Sequence, residues 1–349
     1  MLKSFRPMTF VFPLSVALCL ASLSVNDGRR DDTSVLDAVS NAPSVTYAPE
    51  THYTPKTLEH MLDSAVISSS MHGNIPADET LGLEIFDLDS NKVLYEYNAG
   101  LSLQSASMVK IPIALAFFDR VSKRKLDYTI KRKMFLDSMV FYSDNYCSNY
   151  FMRLMRGPHA VQKILRNNYP KIFDKLEIRD YLPVKKTDKS PYGNKATIHE
   201  YVRLLQEIYR DNLPYSQEIK RLMAGTRWNR IMTPAFPKEV YLYNKTGTTA
   251  RTCGDIGIVA ARDIYNIEHA YIFAYVIERN SFGTVRRRKF SEKECDAWAM
   301  NRGNVMRVIS EMTYKQIGNW YSLPELNARG SSEIDTLMSY RRGPEHIHE

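Results

Sequence analysis

The order of the strand-like segments is what most restricts the fold of this chain. Residues 81–88 and 93–97 read as two strands, joined by Asp89-Ser90-Asn91-Lys92, the turn of a hairpin. Three further runs, 240–245, 254–261 and 269–278, lie toward the other end, while 127–186 and 196–226 repeat apolar residues mostly at helical spacing. An isolated hairpin is only marginally stable in water, so the first block cannot make a sheet alone. The pattern therefore predicts an α/β (α+β) fold: an antiparallel five-stranded sheet assembled from both ends of the chain, flanked by helices, with an all-helical part inserted. The sheet part covers 57–106 and 227–322 and the helical part 107–226. Leu58, Met61, Leu62, Ala65 and Val66 recur as one face of a helix before the sheet, and a long helix over about 291–320 brings the chain back across it. Local signals agree: Gly157-Pro158 opens a helix with proline where its missing N–H costs little, and Thr197-Ile198-His199-Glu200 is a capping box.

Between the hairpin and the helical part stands Ser107-Met108-Val109-Lys110, followed by the apolar run Ile111–Phe118. Residues three apart share a helix face, so Lys110 reaches Ser107. A serine hydroxyl is a weak nucleophile until a base accepts its proton, and a lysine in a dry pocket with a depressed pKa is such a base. A helix N-terminus also favours negative charge developing beside it. Ser143-Asp144-Asn145 follows between two helical patterns, and Lys245-Thr246-Gly247-Thr248 ends the alternating run Val240–Asn244. Taken singly, each has a plainer reading as a helix cap, a turn, or a strand running into a loop.

Together, S-x-x-K, S-D-N and K-T-G in this order resemble the active-site-serine penicillin-recognising family, specifically its class A-like β-lactamase branch, over roughly Thr57–Tyr321. The resemblance implies the β-lactamase/transpeptidase-like fold, a cleft between sheet and helical part, and acyl transfer through a serine ester with no cofactor and no metal. It implies Ser107, Lys110 and Ser143 as catalytic residues, with the oxyanion held by the N–H groups of Ser107 and Thr248. Ser143, bonded between Lys110 and Lys245, would pass a proton to the leaving nitrogen, and Asn145 would orient the substrate's acylamide. Lys245, Thr246 and Thr248 would take a substrate carboxylate, and Gly247 would let the ligand lie close to the strand. The first activity implied is hydrolysis of a β-lactam amide. D-alanyl-D-alanine carboxypeptidase or transpeptidase action on peptidoglycan is the alternative, and a non-catalytic peptidoglycan-fragment binding module a further one.

Two departures bear on this choice. The family's β-lactamases carry Glu-Pro-x-x-Asn in a loop that activates the deacylating water; here the loop reads Leu176-Glu177-Ile178-Arg179-Asp180-Tyr181-Leu182-Pro183. Asp180 and Glu177 are the candidate substitutes, each with the plainer reading of a surface charge pairing with Arg179. The connection from Lys110 to Ser143 is also short, so one cleft wall is reduced, with Tyr142 either replacing part of it or filling core. Ile256 occupies the place where the family often has a carboxylate-holding arginine, leaving Arg230 or Arg251 for that task.

The rest of the chain sets the context. Lys3 and Arg6 before the apolar run 8–23 make 1–24 a signal peptide, with Ala21 near a cleavage site; an uncleaved anchor is the alternative, though the run is short for a span and contains Pro13. The mature protein is then exported, periplasmic in a cell with an outer membrane, without stable membrane insertion. Residues 25–56 read as a linker and 323–349 as a disordered tail. The charge of +8 comes with no nucleic-acid motif, and Arg286-Arg287-Arg288-Lys289 reads as a solvated loop. Partners are a small β-lactam or a peptidoglycan stem peptide, with the protein a monomer. Cys147, Cys253 and Cys295 allow at most one internal disulfide, and no Cys/His cluster has metal-ligand spacing.

Overall fold

The computed structural model of the protein describes residues 58–64, 79–185, 193–279 and 291–327. The expected signal (1–24), linker (25–56) and basic run (286–289) lie outside the described residues. The first helix, α1, covers 58–64. Strands β1 (Glu79–Asp87) and β2 (Lys92–Tyr97) follow, and β5 (Tyr241–Thr248), β6 (Thr252–Arg262) and β7 (Glu268–Arg279) come from the C-terminal block. They form one five-stranded antiparallel sheet in the order β2-β1-β7-β6-β5. The two ends of the chain meet where β1 pairs with β7, from Glu79 opposite Arg279 to Asp87 opposite Tyr271.

Strand alternation divides the core into two layers. On β7, Ile272, Ala274 and Val276 join the core beneath the helical part, while Tyr271, Phe273, Tyr275 and Ile277 join the opposite core. That second core is closed by Leu58 and Leu62 of α1 and by Trp298, Met306, Ile309, Tyr314 and Ile317 of the last helix, α8 (Glu292–Tyr321). Central strands buried on both faces read as nearly continuous apolar runs, as β6 and β7 do.

The inserted part is built around α2 (Lys110–Ser122), whose first ten residues, 110–119, are all buried. A helix apolar on every side can only be central. Around it pack α3 (Ile130–Phe141), α4 (Asn145–Leu154), α5 (Pro158–Asn168), α6 (Ile198–Tyr209) and α7 (Ser216–Ala224). Pro158 stands in the first turn of α5 after Gly157, whose φ of +105° is glycine's territory. Thr197 and Glu200 close the capping box of α6.

Three points differ from expectation. The helical pattern over 127–186 ends as helix at Asn168; Ile172, Phe173, Leu176, Ile178 and Leu182 are buried, but from an irregular loop. Lys245-Thr246-Gly247-Thr248 forms the last four residues of β5, as expected, and β6 pairs with it as far as Thr248 opposite Cys253. A two-stranded ladder, β3 (Leu103–Gln104) with β4 (Lys195–Ala196), was not anticipated and steadies the approach to Ser107. The tail expected from 323 starts attached to the fold: Leu323 is buried, and the Asn327 backbone N–H donates to the Ala235 carbonyl at 2.7 Å. Cys147, Cys253 and Cys295 are all free thiols.

Candidate active site

Ser107 is half-buried in a 3-10 turn, Ala106–Val109, that runs directly into α2. Ala106, just before it, has φ +43°, a left-handed backbone that costs an alanine energy and persists only where the surroundings enforce it. The enforcing contact is Met108. Gly247 and Gly254 face each other across β5 and β6, and a Cβ on either would lie 3.0 or 2.8 Å from the Met108 Cε. The glycine pair is therefore a notch in the sheet that seats Met108. The missing side chain of Gly247 thus admits the nucleophile turn.

Lys110, fully buried, lies one helical turn from Ser107. Its Nζ is 3.1 Å from Ser107 Oγ, 2.9 Å from Ser143 Oγ and 2.8 Å from Asn145 Oδ1, and it also donates to the Ser143 carbonyl. No carboxylate touches it among the described residues; the Asp144 carboxylate instead caps α4 by accepting from Cys147 N at 2.6 Å. Burial holds the Lys110 pKa well below the ordinary lysine value, the charge of Lys245 adds to this, and Asp144 opposes it. In its neutral form the amine can donate two protons to the carbonyl and amide oxygens and keep a lone pair for the Ser107 hydroxyl proton. Ser143 is delivered by a left-handed backbone, φ +58°, between α3 and α4.

Lys245 is also fully buried, and desolvation, opposed by Asp255 and aided by Arg230, lowers its pKa to about 7. Its Nζ donates to the Thr246 carbonyl at 3.1 Å, and among the described residues no hydrogen bond joins it to Ser143, contrary to the expected bridge. Of the two candidate arginines, Arg230 reaches the strand: Nη2 donates to Thr248 Oγ1 at 2.7 Å, while Nη1 is buried with no partner among the described residues. The Arg230 backbone N–H donates to Asp255 Oδ2 at 2.6 Å, and Asn244 Nδ2 donates to both carboxylate oxygens at 2.9 Å. Burial nonetheless raises Asp255 to about 6. Ile256 is opposite Lys245 and wholly buried, as an apolar residue on a central strand should be.

The loop after α5 is held by amides one helical turn apart on α4. Asn145 Nδ2 donates to the Pro183 carbonyl at 2.7 Å, and Asn149 and Leu182 exchange two bonds of 2.8 Å. Pro183 is thus tied to the lysine cluster through Asn145, with Leu182 next to it in the chain held by Asn149. Asp180 accepts from Gly193 N at 2.7 Å, and Glu177 pairs with Arg179 at 2.7 Å; neither touches Ser107, Lys110 or Ser143. Sequence reasoning missed Asn149 and Leu182, although Asn145 and Asn149 at i and i+4 signal one amide-bearing face. Tyr142 is 46% exposed, so it does not fill core, and the Arg227 guanidinium lies 4.8 Å from its ring centre.

A model of the beta-lactamase enzyme family matches residues 75–135 and 129–293. No curated protein matches the chain. Among solved structures, a beta-lactamase from Chitinophaga pinensis superposes with a TM-score of 0.58 at 14% identity, covering 75% of this chain and 99% of its own. PBP-A superposes with a TM-score of 0.57 at 18% identity, covering 75% and 96%. A mutant of PBP-A, solved as its acyl-enzyme complex with penicillin G, gives 0.56 at 19%, covering 76% and 97%. At these identities the likeness is one of fold.

Proposed function

Since the chain belongs to the beta-lactamase enzyme family, we propose that it is an exported serine hydrolase that opens the amide of a β-lactam or a D-alanyl-D-alanine peptide through an ester on Ser107. The observation that carries this reading is the state of Lys110: buried, held well below its ordinary pKa, and in contact with both Ser107 and Ser143. Ser107 Oγ attacks the carbonyl carbon as Lys110 Nζ takes its proton. The oxyanion is held by the N–H groups of Ser107 and Thr248, an arrangement that the seating of Met108 against β5 supports. As the C–N bond breaks, the proton passes from Lys110 through the Ser143 hydroxyl to the leaving nitrogen. Lys245, Thr246, Thr248 and Arg230 take the substrate carboxylate, and Asn145, engaged by Lys110 and Pro183, orients the acyl side.

The fate of the ester separates two readings. Asp180 and Glu177 are engaged by Gly193 and Arg179, and the loop residues tied to the amides of α4 beside the lysine cluster are the apolar Leu182, through Asn149, and Pro183, through Asn145. This favours a long-lived ester, and so a penicillin-binding D,D-peptidase over a β-lactamase. Intact-mass spectrometry after incubation with a penicillin, product being followed in the same tube, tests both. A stable adduct absent from Ser107→Ala supports the peptidase reading; rapid turnover with little adduct supports the β-lactamase; neither adduct nor product overturns the proposal.

A further inference from the structure

We infer that Arg227 and Tyr142 form a subsite on the leaving-group side of the cleft, selecting substrates whose leaving group carries a second anionic group beyond the carboxylate held at Lys245. The inference rests on the acyl-transfer reading above. The first observation is placement. Tyr142 immediately precedes Ser143, which supplies the leaving group's proton, and the Arg227 amide donates to the Phe141 carbonyl at 3.2 Å. The segment carrying Arg227 is pinned to β5 on its other side: Thr226 Oγ1 donates to the Asn244 carbonyl at 2.8 Å, and Asn244 Nδ2 donates to the Trp228 carbonyl at 3.0 Å. Three residues on, Arg230 bonds Thr248. One short segment thus presents two guanidinium groups, one bonded to Thr248 on the carboxylate-binding strand and one over the ring of Tyr142, the residue before the proton-relaying serine.

The second observation is the state of the charge. Arg227 is exposed, and among the described residues its guanidinium is seen against the Tyr142 ring and in no ion pair. Its guanidinium lies over the Tyr142 ring at 4.8 Å, a contact that fixes the group while leaving its in-plane N–H donors free. A pre-positioned, unpaired guanidinium suits bidentate recognition of a carboxylate with little ordering cost at binding. Being solvent-exposed, the pair should discriminate modestly, about three- to tenfold.

Two thioesters with one acyl group test this: N-benzoyl-D-alanyl mercaptoacetate, with one carboxylate on the leaving thiol, and N-benzoyl-D-alanyl mercaptosuccinate, with two. In each the Ser107 Oγ–C bond forms, the C–S bond breaks, and the serine proton leaves with the thiolate. Because the acyl-enzyme is the same, any difference in kcat/KM belongs to the leaving group. The wild-type protein should prefer the mercaptosuccinate about three- to tenfold at low salt, and the preference should shrink at about 0.5 M salt. The ratio should fall toward one in Arg227→Ala and lie between in Arg227→Lys. A wild-type ratio near one, or a ratio that survives in Arg227→Ala, overturns the inference while the acyl-transfer reading stands. If neither thioester acylates Ser107, that reading fails and the subsite fails with it. Should Arg227→Ala not fold, the wild-type ratio and its salt dependence decide alone.

Discussion

Asn149 and Leu182 hold one another by a reciprocal pair of hydrogen bonds, amide nitrogen to carbonyl and backbone N–H to side-chain oxygen, each 2.8 Å and both buried. This pair fixes the loop that, in the family's hydrolysing members, brings water to the ester. Asn149→Ala would leave two buried backbone groups unpaired, and should cost about 2–4 kcal/mol in chemical denaturation. Asn149→Asp, which keeps the acceptor but sets a buried carboxylate against the Leu182 carbonyl, should also destabilise, and increasingly as pH rises.

Leu182 stands in that loop where a carboxylate would be useful. Leu182→Glu should shorten the lifetime of a penicillin adduct at least about tenfold, because it supplies a base beside the ester. Leu182→Gln, of similar shape but without the base, should lower the melting temperature comparably and leave the adduct's lifetime unchanged. Time-resolved intact mass reads both, and equal lifetimes in the two variants would exclude a base at this position.

The notch of Gly247 and Gly254 predicts an order of damage. At Gly254 an added methyl meets the Tyr275 backbone oxygen and Met108 Cε, both at 2.8 Å, whereas at Gly247 the contacts at 3.0–3.1 Å are side-chain atoms of Met108 and Ala106. Gly254→Ala should therefore destabilise more than Gly247→Ala, each by about 1–3 kcal/mol. Met108→Leu combined with Gly247→Ala should recover part of the loss, giving a double-mutant cycle with clear coupling. Gly247→Ala should slow acylation beyond its effect on stability, since it displaces Ser107 from β5.

Lys245 fixes the sign of a pH effect. Its folded pKa, about 7, is below the unfolded value near 10.4. Between these values the unfolded chain binds a proton that the folded one does not, so stability should fall as pH drops from about 10 to 7 and pay the full penalty below. Lys245→Met should flatten that slope and raise the melting temperature at pH 7. In activity the direction reverses: kcat/KM for acylation by penicillins should decline above about pH 7, as the cation that receives the carboxylate is lost. Thermal melts and adduct-formation rates over pH 6–10 measure both.

Lys110 should show the same tension in sharper form. Lys110→Met removes a buried amine that the fold disfavours as a cation, and should raise the melting temperature. It also removes the proton acceptor, and should slow acylation by penicillin at least about a thousandfold in adduct-formation rate.

The sheet and its interrupted construction were legible because alternation and turn chemistry are local, as at Asp89-Ser90-Asn91-Lys92 and the Thr197 cap. Ser107, Lys110 and Ser143 were legible as a set because their spacing and order carry the chemistry. The Lys245 partner was not, since whether a buried amine reaches Ser143 or the Thr246 carbonyl depends on side-chain placement alone. Residues 169–185 repeat apolar side chains like a helix but are committed instead to an irregular loop held by Asn194, Gln162, Asn149 and Glu200. That Met108 occupies the space beside Gly247 was not legible, because the two are far apart in sequence.

The pairing of β1 with β7 also decides when the cleft can exist. Leu83 and Tyr275 are register partners about 190 positions apart, so the sheet closes only after the whole helical part has been made and the longest loop drawn in. Every residue of the three motifs lies before β7 begins at Glu268. A nascent chain that stops short of this central strand would carry the full chemical inventory and have nowhere to assemble it.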